Sequence, residues 1–314
     1  MKNILNSGIS EDMHFSDRLI EQQIQKSDLV VGIDPNFDLM PEFLLPTSNN
    51  YQEITRSLTS FSQVIIDSLS DLIPAVKFQS AYFEQFGSSG INALVESIKY
   101  AKTHNLLVIL DAKRGDIDST SLAYAKAYLD GQIRLKNGIV IDSDLVVDCI
   151  TINPFLGEDS LMPFVEVATK CGKGLFILVK TSNPGSSMIQ DISVNGKKIF
   201  HQLAELVNQL GKDSIGKYGY SCIGAVVGAT YPHEAKRLRE IMPNAIFLAP
   251  GVGSQGGNIE SIFDSLGHDG RGVIIPISRG ITYFPNRDMS LPDYQSAVRE
   301  RAINFIQTLK KRDS

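Results

Sequence analysis

The stretch LVILDAKRGDIDST, Leu107 to Thr120, ends an apolar run with Asp111, Lys113 and Asp116 inside six residues. Charges at the tip of a core strand are unfavourable unless they are paired or reactive. A lysine with carboxylates about 4–6 Å away keeps its proton, because opposite charge favours the charged form. Such a group is a general acid or a fixed cation, and a poor amine nucleophile. Strand alternation turns Asp111 and Lys113 to one side and Ala112 to the other. Asp34 closes the run LVVGID (29–34), and Lys77 lies in IPAVKF (73–78) at what is expected to be the same level of the neighbouring strand. A single such pair reads equally well as a structural salt bridge. Four charges of alternating sign at the ends of three consecutive runs read as one reactive pocket. The five histidines, His14, His104, His201, His233 and His268, all fall away from these ends, which leaves proton transfer to lysine or carboxylate.

A second group of residues suits an anion. In PGVGSQGG (250–257), glycines 251, 253, 256 and 257 let backbone amides crowd a negative ligand at the start of the helix that follows. Arg279, in SRG (278–280), can add a bidentate clamp. Thr181 and Ser182 follow another apolar run and face the same region.

The elements that must carry these groups are eight apolar, β-branched runs at 29–34, 73–78, 106–113, 146–153, 174–181, 222–229, 245–250 and 272–278. Their near-continuous hydrophobicity is that of parallel strands covered by helices. Amphipathic segments lie between them, at 55–69, 91–102 and 120–129 and near 159–171, 197–210, 233–241, 258–266 and 290–310. Eight right-handed alternations predict a closed (β/α)8 TIM barrel as a single catalytic domain over 28–314. An open doubly wound sheet would need a glycine-rich turn after an early strand, and GIDPN is not one. The first 27 residues form a helical extension expected to close the barrel bottom. Segment 182–196, SNPGSSMIQDISVNG, reads as a mobile surface loop. In such a barrel, strand ends and the loops after them carry the chemistry, and the loops after strands seven and eight are the usual phosphate site.

Bulk composition narrows the function classes. A net charge of −5 argues against a nucleic-acid surface or an anionic membrane as partner. No apolar stretch nears the roughly 20 residues that span a bilayer, and the N-terminus lacks a basic start followed by an apolar core. Cys149, Cys171 and Cys222 lie far apart with no CxxC spacing, as in a reducing compartment. A cytoplasmic protein is expected.

With these residues assembled, the chain resembles the orotidine 5'-phosphate decarboxylase family. The resemblance rests on DAKRGDIDST at strand three, with GIDP, VKFQ, PGVGSQGG and SRG in the family's order. NPFLG (153–157) and KTSNPGS (180–186) resemble its longer, bacterial-type branch, and the likeness covers about residues 28–310. It implies cofactor-independent decarboxylation of orotidine 5'-phosphate to UMP, with no metal. Lys113 then resembles the proton donor to C6, and Asp111 the carboxylate beside the departing group. Lys77 and Asp34 resemble residues that bind ribose hydroxyls and hold the charge network. Asp116 and Ile117, with Thr120 nearby, match positions that the family inserts into the partner's site of a homodimer. Ser182 resembles the pyrimidine-binding hydroxyl, and Gln255, Arg279 and the amide of Gly280 or Ser278 the phosphate grip. A metal-dependent decarboxylase of the same superfamily would have an acid where Lys77 stands. A Schiff-base aldolase would need a neutral Lys113 or Lys180, and a silent nucleotide sensor would not need the whole charge set.

Overall fold

The computed structural model describes residues 14–229, 232–252, 265–267 and 269–310. Eight strands close into a parallel barrel in chain order: β1 (Leu29–Ile33), β2 (Ala75–Gln79), β3 (Leu107–Arg114), β4 (Cys149–Ile152), β5 (Gly174–Lys180), β6 (Ser221–Val227), β7 (Ala245–Leu248) and β8 (Val273–Ile277). Closure comes from β1 on β8, through Leu29↔Ile275, Val30↔Pro276 and Val31↔Ile277. Every residue of β1, β4, β6 and β7 is buried, which is why these runs show no polar alternation. The eight expected strands are all present, each within about three residues of its expected ends.

The long helices alternate with the strands: α1 (Phe15–Gln25), α2 (Tyr51–Leu69), α3 (Gly87–Thr103), α4 (Asp118–Ala125), α5 (Glu158–Lys170), α6 (Ile199–Gly211), α7 (Pro232–Ile241) and α8 (Leu291–Lys310). The apolar face of α2, with Leu58, Phe61, Ile65, Ile66 and Leu69, is buried on the barrel. Asn50 caps this helix by accepting from the Glu53 amide at 2.9 Å, so it starts four residues before the amphipathic pattern does. The helix expected near 258–266 lies almost wholly outside the described residues.

α1 sits at the amino ends of the strands. Its first amide, of Phe15, donates to Gly172 O just before β5, and Gln23 donates to Val273 O at the start of β8. Arg18 pairs at 2.9 Å with buried Asp148, whose other oxygen accepts from the Val108 amide. Two features depart from expectation. An antiparallel hairpin, Gln132–Arg134 with Val140–Asp142, interrupts the connection from α4 to β4, where no element was read from the sequence. Segment 182–196 is not an irregular loop: it holds a 3-10 turn (Pro184–Ser186), a helical turn (Ser187–Gln190) and a hairpin of Ser193–Val194 with Lys197–Lys198. Short-range pairing among its polar residues, invisible to hydrophobic periodicity, supplies that order.

Candidate active site

At the carboxyl ends of β2 and β3, Asp111 takes both lysines. Its Oδ2 accepts from Lys77 Nζ at 3.0 Å and its Oδ1 from Lys113 Nζ at 2.6 Å. Asp111 and Lys77 are 9% and 8% exposed, whereas the Lys113 side chain is 43% exposed and reaches the opening. The β1–β2 register sets Gly32 opposite Lys77 and Ile33 opposite Phe78, and β2–β3 sets Gln79 opposite Asp111. Asp34 therefore lies two residues nearer the mouth than expected, level with Gln79 and Asp111. Lys77 meets Asp111 because its four-carbon stem climbs from the layer below. The Asp34 Oδ1 atom is buried without a hydrogen-bond partner, while its carbonyl accepts from Tyr283 Oη at 2.5 Å.

Asp111 and Lys113 do share a side, although simple alternation is not the cause. The β3–β4 register shifts between Leu110 and Arg114, and Lys113 has a φ of +49°. A non-glycine residue in that region costs on the order of 1–3 kcal/mol and needs support from its surroundings. Support comes from Thr151 on β4. Its Oγ1 accepts from the Lys113 amide at 2.9 Å and donates to Asp111 Oδ1 at 2.9 Å. Sequence reasoning passed over Thr151, because a threonine inside CITI reads as a strand former. It also passed over Gln79 and Asn153, both of which line the cavity.

Electrostatics favour the charged forms. Burial pushes the Asp111 carboxyl up, yet Lys77 and Lys113 outweigh it and hold the group well below the usual carboxylate range. Burial likewise presses on the Lys77 ammonium, and the fields of Asp111 and Asp34 outweigh it and raise its pKa. Neither residue titrates near neutrality. No group of three or more His, Cys, Asp or Glu side chains forms a metal site among the described residues. No helix among them is long and apolar enough to cross a membrane.

A cavity of about 1300 Å³ opens above this cluster, with room for a ligand of nucleotide size. Asp34, Lys77, Asp111 and Lys113 line it, as do Ser182, Gly251, Ser278, Arg279 and Gly280. Glycines permit close approaches between neighbouring strand ends here. A Cβ on Gly228 would stand 2.9 Å from the Ser182 backbone, and one on Gly32 would stand 2.8 Å from Ser278 Cβ. Ser278 Oγ is buried with no partner, whereas Arg279 is exposed. Above Ser182, the Thr181 amide donates to Gln190 Oε1 and Gln190 Nε2 donates to Thr181 Oγ1, so the segment folds back on its base. Gln255 and glycines 253, 256 and 257 lie outside the described residues.

Asp116, Ile117 and Thr120 do not line the cavity of their own chain. Asp116 Oδ1 accepts from the Ile117 amide, and its carbonyl accepts from Ser121 Oγ. Ile117 is 53% exposed. Of the histidines whose side chains are described, His14 precedes α1, His104 faces Asp67 and His201 faces Glu234, and none of the three lines the cavity. Cys149, Cys171 and Cys222 are free thiols.

The chain has close relatives. The family model described as "Orotidine 5'-phosphate decarboxylase / HUMPS family" matches residues 56–290. A curated orotidine 5'-phosphate decarboxylase from Rhodopirellula baltica is 40% identical over 287 residues, covering 89% of this chain and 93% of that protein. Another of the same name, from Caldicellulosiruptor bescii, is 42% identical, covering 86% of this chain and 90% of that protein. Among solved structures, Leishmania donovani OMP decarboxylase superposes with a TM-score of 0.69 at 28% identity, over 95% of this chain and 98% of that one.

Proposed function

This chain belongs to the orotidine 5'-phosphate decarboxylase / HUMPS family, and from that premise we propose that it converts orotidine 5'-phosphate to UMP and carbon dioxide, in pyrimidine synthesis, with Lys113 as the proton donor to C6. The observation that carries this reading is the Lys77–Asp111–Lys113 array in one cavity with Ser182 and Arg279.

The reaction needs no redox partner. The bond from C6 to the carboxyl carbon breaks heterolytically, carbon dioxide leaves neutral, and the electron pair stays on C6. That carbanion has no electron sink, so its stabilisation falls to a pre-positioned cation in a sheltered pocket. Lys113 Nζ then gives its proton to C6 and regains one from water, which its 43% exposed side chain can reach. Asp111 aims Lys113 and sets a negative charge against the carboxylate that departs. Lys77 and Asp34 hold the ribose hydroxyls, Ser182 the pyrimidine, and Arg279 with Ser278, the Gly280 amide and Gln255 the phosphate. The phosphate is remote from C6, and its binding energy draws segment 182–196 over the site. No metal or organic cofactor takes part.

The working unit in this reading is a homodimer. Asp116, Ile117 and Thr120 enter the partner's site, which accords with their absence from their own cavity and with the exposure of Ile117 and of Phe155 (76%) near the same mouth. Residues 28–314 act as the catalytic barrel and 1–27 as an extension, in accord with the contacts of α1 at the strand bottoms. The protein works in the reducing cytoplasm, in accord with its three free thiols. A spectrophotometric assay of the purified chain with orotidine 5'-phosphate tests the function: conversion to UMP is expected, and its absence would refute the reading.

A further inference from the structure

We infer that Thr151 is a positioning residue for the decarboxylation, a single hydroxyl that fixes both the backbone that carries Lys113 and the carboxylate that aims it. The inference rests on the function proposed above and adds a residue to it.

Thr151 lies on β4 and is fully buried. It sits where the β3–β4 ladder breaks, between Leu110 and Arg114. At that break Lys113 takes a left-handed conformation, and it has no place in the β3–β4 register. The amide is instead received by Thr151 Oγ1 at 2.9 Å. A hydroxyl that accepts one hydrogen bond still has a proton to give, and this one goes to Asp111 Oδ1 at 2.9 Å. The same oxygen of Asp111 receives Lys113 Nζ at 2.6 Å. A closed circuit results: Lys113 amide to Thr151, Thr151 to Asp111, and Lys113 ammonium to Asp111. The β-branched side chain has few χ1 rotamers in a strand, so the hydroxyl is presented at a fixed point. Neither valine nor alanine can serve, since both leave the Lys113 amide and one lone pair of Asp111 unpaired inside the barrel wall. Thr151 does not line the cavity, so it acts only through its two partners.

The test compares Thr151→Val, which keeps the shape, with Thr151→Ser, which keeps the hydroxyl. Turnover of orotidine 5'-phosphate and affinity for UMP are measured for both beside the wild type. In Thr151→Val, kcat is expected to fall by about tenfold to a hundredfold, as for a misplaced reacting group, while UMP affinity stays within about twofold. Thr151→Ser is expected to recover most of kcat. A Val variant within about threefold of the wild-type kcat overturns the inference, as does a Ser variant as slow as Val. Parallel loss of kcat and UMP affinity also overturns it, because that marks general damage to the pocket. Should the wild type itself fail to turn over, the proposed function falls, and a crystal structure of Thr151→Val then decides the inference. A Lys113 that abandons its left-handed backbone and leaves Asp111 supports it; an unchanged Lys113–Asp111 pair overturns it.

Discussion

Asp111→Asn removes a negative charge that contacts two ammonium groups, those of Lys77 and Lys113, and the structure fixes the size of the effect. Lys77 is 8% exposed, so losing its partner strands a buried cation, which costs about 3–5 kcal/mol. The Lys113 side chain is 43% exposed, and solvent screening limits its share to about 1 kcal/mol or less. With a urea slope of about 3 kcal/mol/M, a loss of 3–5 kcal/mol lowers the unfolding midpoint by roughly 1–1.7 M at pH 7. The sign of the pH dependence follows from the two shifts. The folded Asp111 carboxyl is depressed, so its contribution is present above the ordinary value of 3.8 and fades as pH falls below it. The folded Lys77 ammonium is raised, so its contribution is present below 10.5 and fades as pH climbs beyond it. The pair's contribution to the wild type should therefore be flat from about pH 5 to about pH 10 and fade outside that window, whereas the stranded Lys77 of the variant gives up its proton earlier as pH rises, which narrows the gap on the alkaline side. Urea titrations of both proteins across this range provide the check. A gap under about 1 kcal/mol at pH 7 would refute the buried-pair account.

Three further outcomes are expected. Arg279→Ala should raise KM for orotidine 5'-phosphate by about 10- to 100-fold, as for a lost charge-assisted contact made in ground and transition states alike, with kcat little changed; an unaltered KM would put the phosphate elsewhere. Mixing inactive Lys113→Ala and Asp116→Ala chains should restore about a quarter of wild-type activity, because half of the random dimers then hold one intact composite site; no recovery would argue that each chain completes its own site. EDTA should leave turnover unchanged, because Lys77 places an ammonium where a metal-dependent relative would need an acid; inhibition that magnesium reverses would favour metal chemistry.

Most of the barrel was legible in the sequence, because burial on both faces writes each strand as a solid apolar run. The charge cluster was legible for a related reason: Asp111 and Lys113 stand out against Leu107–Leu110. What could not be read is local geometry that hydrophobicity does not encode. The bulge that turns Lys113 to φ +49° looks like ordinary alternation in sequence, and its support, Thr151, looks like an ordinary strand residue. The level of Asp34 was misjudged by two residues because register is set by the barrel stagger and not by run length. Hairpin 132–142 escaped notice because its aliphatic residues, Ile133 and Ile141 among them, are exposed and mark no core face. The ordering of 182–198 depends on side-chain to backbone bonds, such as Thr181 with Gln190, that no periodicity announces.

The central claim, that Lys113 delivers the proton to C6, is tested most directly by measuring orotidine 5'-phosphate turnover by Lys113→Ala protein whose UMP binding is intact. Loss of turnover by about 10³-fold or more, with UMP still bound, is the predicted result for a missing general acid. Turnover within about tenfold of wild type in that same protein would contradict the claim and move the proton's source to another group.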